Sequence, residues 1–211
     1  MPGLAIEQHS QRFLRAFPRA LASHVTAAAS VMPATSHEPR GEFAVWVDIQ
    51  ELVLPRRIYP AEPDPDTATK LAPRAQLVLR CLYTRHHDGI VRQRNPEQVV
   101  TALDAWVVPY VVQLIGEYVV EIIKVIAAAL PQLAVPGSPQ RVLYGRFAAD
   151  NPAFIDLTAA RVASYWNAYY RGWWYRSLAD YPGQPLIDTV RAAGREHTTA
   201  AVGPPHPPPG R

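Results

Sequence analysis

Residues 106–131, WVVPYVVQLIGEYVVEIIKVIAAALP, constrain the fold more than any other stretch, because the run is interrupted only by Gln113, Gly116, Glu117, Glu121 and Lys124. The run predicts a central helix. With Gln113 set at zero, Glu117 falls at about 40°, Lys124 at about 20°, Tyr110 at about 60° and Glu121 at about 80° around such a helix. The polar residues then form one narrow stripe. The remaining circumference is Val, Ile, Leu and Ala, which a water-facing helix would not carry, so neighbours are expected on most sides.

A chain of 211 residues is long enough for one domain with a sizeable core. Its 48% apolar and 18% charged residues argue for a folded protein outside the ends. A net charge of +3 is too mild to diagnose nucleic-acid binding. The cations are all Arg except Lys70 and Lys124, as expected from a GC-rich coding sequence, which the abundant Ala and Pro also suggest. The single cysteine, Cys81, sits in an apolar string and reads as a buried structural thiol. No run reaches 18 apolar residues without a charge, so no membrane span is expected. Residues 11–37 carry Arg12, Arg15 and Arg19 without an acid, superficially like a transit peptide, but Glu7 and the lack of a clear cleavage pattern favour a cytoplasmic protein.

Along the chain, residues 4–32 have a helical pattern that Pro18 should break, and 33–42 form a loop. The segment 43–54 fits a strand or a helix; with no second β-rich run to pair with, helix is the expectation. Residues 55–66 read as a proline-rich connector strapped across the surface. Asp66 should cap the next helix, whose face carries Leu71, Ala75, Val78 and Leu82. That helix ends at Arg85, His86, His87 and Asp88, ahead of Gly89. Pro96 and Pro109 suit the first position of new helices, and a short helix should span 141–149. Asn151 and Pro152 should open a second core helix over 152–178, with Ile155, Ala159, Val162, Trp166, Tyr169 and Trp173 on one face. Its rings exceed what one face requires, so Tyr165, Tyr170, Trp174 and Tyr175 should meet another element, a partner or a ligand. Residues 196–211 read as a disordered proline-rich tail.

The turn HDGIVRQ resembles the inter-helix turn of HEAT-type repeats, with Asp88, Val91 and Arg92 at the matching positions. A weaker echo places Glu117, Val120 and Glu121 at the same offsets 29 residues on. The resemblance covers about residues 73–130 and implies a short helical stack whose units are tied together by the acid and the Arg. The expected fold is therefore a single all-α domain over 1–195, an irregular bundle or short HEAT-like stack of about six to eight helices.

GxGxxG, P-loop, GxSxG and HExxH patterns are absent, so no catalytic residue, cofactor or metal is assigned. The candidate interaction or polar-network residues are Arg85, His86, His87, Asp88, Arg92, Gln113, Glu117, Glu121, Tyr170 and Trp174. The leading expectation is a protein-interaction or scaffold module that binds a protein partner or itself. One alternative is a metal or acid/base enzyme that uses His86 and His87 with Glu117 and Glu121. Another is a nucleic-acid binder that uses Arg85, Arg92, Arg94 and Arg171.

Overall fold

Proline placement divides this chain into short helices. The computed structural model describes residues 11–172 and 174–202. A helical turn at 11–14 (α1) stops before Pro18; a 3-10 turn at Arg19–Leu21 and α2 (Ala22–Ser30) follow. Two strands come next, β1 (Arg40–Val47) and β2 (Gln50–Arg57), then α3 (Pro65–Thr69), α4 (Pro73–Tyr83), α5 (Gly89–Arg94) and α6 (Pro96–Val100). The remainder is α7 (Val108–Ile115), α8 (Val120–Ala129), α9 (Pro139–Asp150), α10 (Pro152–Tyr165) with a π-helical turn at Trp166–Tyr170, and α11 (Gly183–Val202). Pro65, Pro73, Pro96, Pro109, Pro139 and Pro152 all lie at a first or second helical position. There the missing N–H has no intrahelical partner to lose. Asp64, not Asp66, caps α3 by accepting from the Thr67 N–H.

The expected helix over 43–54 is instead an antiparallel hairpin, so the mostly helical chain is not all-α. The strand finds its partner in the residues immediately after it: Phe43 pairs with Leu54, Val45 with Leu52 and Val47 with Gln50. Val45, Val47, Leu52 and Leu54 are buried, as period-two alternation requires. The turn is made by Asp48 and Ile49, both at positive φ (46° and 63°). A tight two-residue hairpin needs that geometry and usually recruits Asn-Gly for it. The connector begins later than expected, since Pro55 pairs within β2 and Ile58 bridges His86.

Asn151 does not cap α10 with its side chain. Its Oδ1 accepts from the Trp46 N–H at 2.7 Å and its Nδ2 donates to the Trp46 carbonyl at 2.8 Å. The carboxamide thus grips one residue on the outer edge of β1. On the outer edge of β2, the Val53 N–H donates to the Arg15 carbonyl.

The run 106–131 is not one helix. A 3-10 turn at Ala105–Val107 leads into α7, every residue of which is buried, and the chain breaks at Gly116 before α8. A Cβ on Gly116 would stand 3.2 Å from Thr158 Cγ2 and 3.4 Å from the Thr158 carbonyl, so α10 passes close at this point. The break dissolves the expected stripe. Gln113 and Glu117 are buried, whereas Glu121 and Lys124 lie in water. Tyr110 is also buried and donates to the Ala16 carbonyl. Helices α6, α8, α9, α10 and α11 surround α7, and one apolar cluster runs from Phe13 to Val190. Each fully buried Val, Leu or Ile contributes about 1.5–3 kcal/mol.

Helices α9 and α11 pack through small residues. A Cβ on Gly145 would lie 2.6 Å from the Ala193 carbonyl oxygen, and one on Gly194 would lie 2.9 Å from Ala148 Cβ. The tail is therefore shorter than expected, because α11 continues to Val202 and Glu196 accepts a fork from Arg141 at 2.7 and 2.6 Å. The rest of the expected tail, 203–211, lies outside the described residues, as does Trp173.

Candidate functional site

Four segments meet around one carboxylate. The end of β2 brings Arg56 and Arg57, the turn after α4 brings Arg85 and His86, α5 brings Arg92, and the break between α7 and α8 brings Glu117. Arg57 grips Glu117 as a fork, Nη1 to Oε1 at 3.1 Å and Nη2 to Oε2 at 3.0 Å. Arg85 Nη2 donates to Oε1 at 3.3 Å, and Arg92 Nη2 lies 3.6 Å from Oε2 as an ion pair. Arg85 also donates to the Thr84 and Arg56 carbonyls, and Arg92 Nη1 to those of His86 and His87. Glu117, Arg85 and Arg92 are all buried.

Such burial is tolerable for charges only when they are paired and hydrogen-bonded. Burial alone would raise the Glu117 carboxyl, but Arg85, Arg57 and Arg92 outweigh it and hold it below the usual value. Burial pushes the Arg85 guanidinium down to about 10, with Glu117 opposing and Arg57 and Arg92 adding to the shift; it stays charged at neutral pH. Three guanidiniums against one carboxylate leave a surplus of two positive charges. Arg85 Nε, Arg92 Nε and Arg92 Nη2 are buried without a hydrogen-bond acceptor.

Arg161 of α10 joins this group. Its Cβ lies 3.4 Å from the place a Gly116 Cβ would occupy, which sets it beside Glu117. Half-buried, it makes no hydrogen bond or ion pair among the described residues. Burial lowers its pKa, and the charges of Arg56 and Arg57 lower it further against the opposing pull of Tyr165 and Glu117.

Tyrosines flank the cluster on its open side. Arg92 lies over the Tyr118 ring, 5.6 Å from its centroid. Tyr118 is 6.1 Å from Tyr165 and 6.3 Å from Tyr169, and those two are 6.2 Å apart. Tyr169 was expected on the core face; the π-helical turn carries it into solvent instead, 62% exposed. Trp174 stands in solvent beyond it, 78% exposed. Tyr170 is turned inward, where its OH donates to the Tyr118 carbonyl at 2.5 Å, accepts from the Val120 N–H and so ties the π-turn to the α7–α8 break.

The turn before α5 meets Glu117 through arginines rather than imidazoles. Asp88 caps α5 by accepting from the Ile90 N–H. His86 Nδ1 accepts from the Asp88 N–H at 3.1 Å, which assigns the ring proton to Nε2, buried on the side of the Pro60 backbone. Burial, then the neighbouring His87, lower the His86 pKa. Exposed His87 packs on Tyr59 at 5.0 Å. Gln113 is buried apart from the cluster's hydrogen bonds, its Oε1 unpaired, and Glu121 points into water from α8. No group of three or more His, Cys, Asp or Glu among the described residues is arranged to hold a metal. Arg92 pairs with Glu117, but α5 and α6, six and five residues long, build no HEAT-type repeat pair.

Sequence reasoning missed Arg56, Arg57, Tyr118 and Tyr169 as site residues. Continuing the period-two alternation through a turn at 48–49 would have carried β2 to Arg57 and placed both arginines at a strand end. Comparison with known families, curated proteins and solved structures finds no match. No helix among the described residues is long and apolar enough to cross a membrane.

Proposed function

We propose that this chain is an interaction module that engages a protein partner bearing acidic groups through Tyr118, Tyr165, Tyr169 and Trp174, with Arg57, Arg161 and Arg171 at the edge. The observation that carries the reading is the exposure of Tyr169 in the π-helical turn, of Tyr118 beside it at 6.3 Å, and of Trp174 just after the turn. Rings of this kind are the side chains that anchor interfaces, since they offer large contact area at little conformational cost. A folded chain keeps them in water only against an apolar penalty, and the neighbouring arginines exceed the nearby acids. The enzyme alternative lacks its constellation, because the Glu117 oxygens are occupied by arginine and Glu121 stands apart. The nucleic-acid alternative loses Arg85 and Arg92 to burial, while Arg94 pairs with Glu62 and Arg171 with Asn167.

The test is a double variant, Tyr169→Ser with Trp174→Ser, that leaves the buried face of α10 untouched. Proteins retained by the immobilised wild-type chain from a lysate of its own cells should be lost by the variant at an unchanged melting temperature. Retention of the same proteins by both would sink the reading, and recovery of nucleic acid alone would replace it.

A further inference from the structure

The arginine cluster is unfinished as a piece of electrostatics. Arg57, Arg85 and Arg92 share one carboxylate; Arg161 adds charge beside it without an ion pair of its own, and Arg56, which donates to the Glu42 carbonyl and lies over the Phe43 ring, adds charge near Arg161. Donors also exceed acceptors inside the cluster, where Arg85 Nε, Arg92 Nε and Arg92 Nη2 have none. Folded chains rarely hold surplus charge half out of water unless a counter-charge completes it. The open side is defined by Arg57, with 28% of its side chain exposed, by half-buried Arg161, and by the rings of Tyr118 and Tyr165.

We propose that this open side, between Arg57, Arg161 and Arg56 and beside Tyr118 and Tyr165, is a seat for a phosphoryl group. A phosphomonoester carries close to two negative charges at neutral pH and several acceptor oxygens, matching a surplus of two or more positive charges and the unused hydrogens of the half-buried Arg161 guanidinium better than a carboxylate does. Glu117 acts as a positioning residue. It holds Arg57 by a fork and Arg85 by a single bond, so the donors are oriented before the ligand arrives. Gly116 lets the Arg161 Cβ approach the break that carries Glu117. The tyrosine rings suit an aromatic phosphate ester, so the group is either a free phosphate or one carried on a ring of the partner. The inference deepens the interaction reading by naming the group the partner presents.

The experiment is calorimetric titration of the full chain with inorganic phosphate and with phenyl phosphate, against sodium chloride at equal ionic strength. The wild type should bind at least one of the two phosphates. Arg161→Met, which removes no hydrogen bond of the fold, should weaken that binding by about tenfold or more, and Arg161→Lys by less. Equal affinities identify free phosphate as the ligand; about tenfold tighter phenyl phosphate identifies a ring-borne group. Heat no greater than that of chloride, or equal binding by wild type and Arg161→Met, overturns the proposal. Phosphate binding that survives in the Tyr169→Ser, Trp174→Ser variant while partner capture fails separates the seat from the ring surface.

Discussion

Glu117 and Arg57 lie 60 residues apart in the chain and form a two-bond fork at 3.1 and 3.0 Å, closing the end of the hairpin onto the break between the central helices. Arg85 and Arg92 approach the same carboxylate from another side. The pair therefore joins the β-hairpin to the helical part at a point from which water is largely excluded.

Glu117→Gln leaves three guanidiniums without their anion and should destabilise the fold by about 3–5 kcal/mol in urea titration. Arg57→Met should cost less, because Arg85 and Arg92 still neutralise Glu117. A loss below about 0.5 kcal/mol for Glu117→Gln, the scale of an ordinary surface change, would show that the carboxylate is not holding the cluster. The same residue sets an acid limit. Its folded pKa lies below the ordinary value of 4.5, so its contribution is complete above that pH and is lost as pH falls through the folded pKa. The Gln variant should show a flatter acid limb.

His86 titrates in the opposite chemical sense and with the same outcome. Its folded pKa is below 6.5, so the neutral ring favours the native state above that pH, and stability declines as pH falls from 6.5 toward the folded value. Protonating Nδ1 also removes the acceptor of the Asp88 N–H at the start of α5. Proton NMR of the His86 ring should report a midpoint below 6.5. A midpoint above 6.5 would contradict the buried neutral tautomer.

Ile49 is a β-branched residue at φ 63° with 93% of its surface exposed. Left-handed backbone of this kind costs about 1–3 kcal/mol for a side chain that does not favour it. Ile49→Gly should therefore stabilise the hairpin turn, by about 1 kcal/mol after the extra entropy of glycine in the unfolded chain. Stability equal to or below that of the wild type in chemical denaturation would count against a strained turn.

Gly145 lies inside α9, where alanine is ordinarily about 1 kcal/mol better than glycine. Here Gly145→Ala should reverse sign and destabilise by about 1–3 kcal/mol, because the new methyl meets backbone of α11 at 2.6 Å. Gly137, at φ 75° with open space around it, is the comparison: Gly137→Ala there is strained by its backbone alone. A gain in stability for Gly145→Ala would mean that α9 and α11 do not cross so closely.

Helix starts were legible in the sequence because proline marks them by a local rule: Pro96, Pro109 and Pro152 all sit where a new helix was expected. The hairpin was not legible, because its turn is Asp48-Ile49 rather than a glycine pair, and only burial of alternate residues on both strands settles the choice. The break at Gly116 depends on how closely Thr158 passes, a distance set by tertiary packing. For the site, Arg85, Arg92 and Glu117 each stand out as candidates, Glu117 because it is a charge in an apolar run, but nothing local to Arg85 or Arg92 pairs either with it. Arg57 could not be placed while it was read as part of the connector after 54 rather than as the end of β2, and Tyr169 could not be placed while α10 was read as regular to its end.

The Asn151 side chain has a further effect on what this protein can join. A two-stranded ribbon offers unpaired N–H and C=O groups on both outer edges, and such edges recruit strands from other chains. At Trp46 both outward groups are already satisfied by one carboxamide, and at Val53 the outward N–H is taken by the Arg15 carbonyl. Asn151 thus blocks strand recruitment at Trp46 while leaving the Trp46 ring, 51% exposed, facing water. Copies of this chain can meet through side chains there, but continuing the ribbon across Trp46 requires Asn151 to let go first.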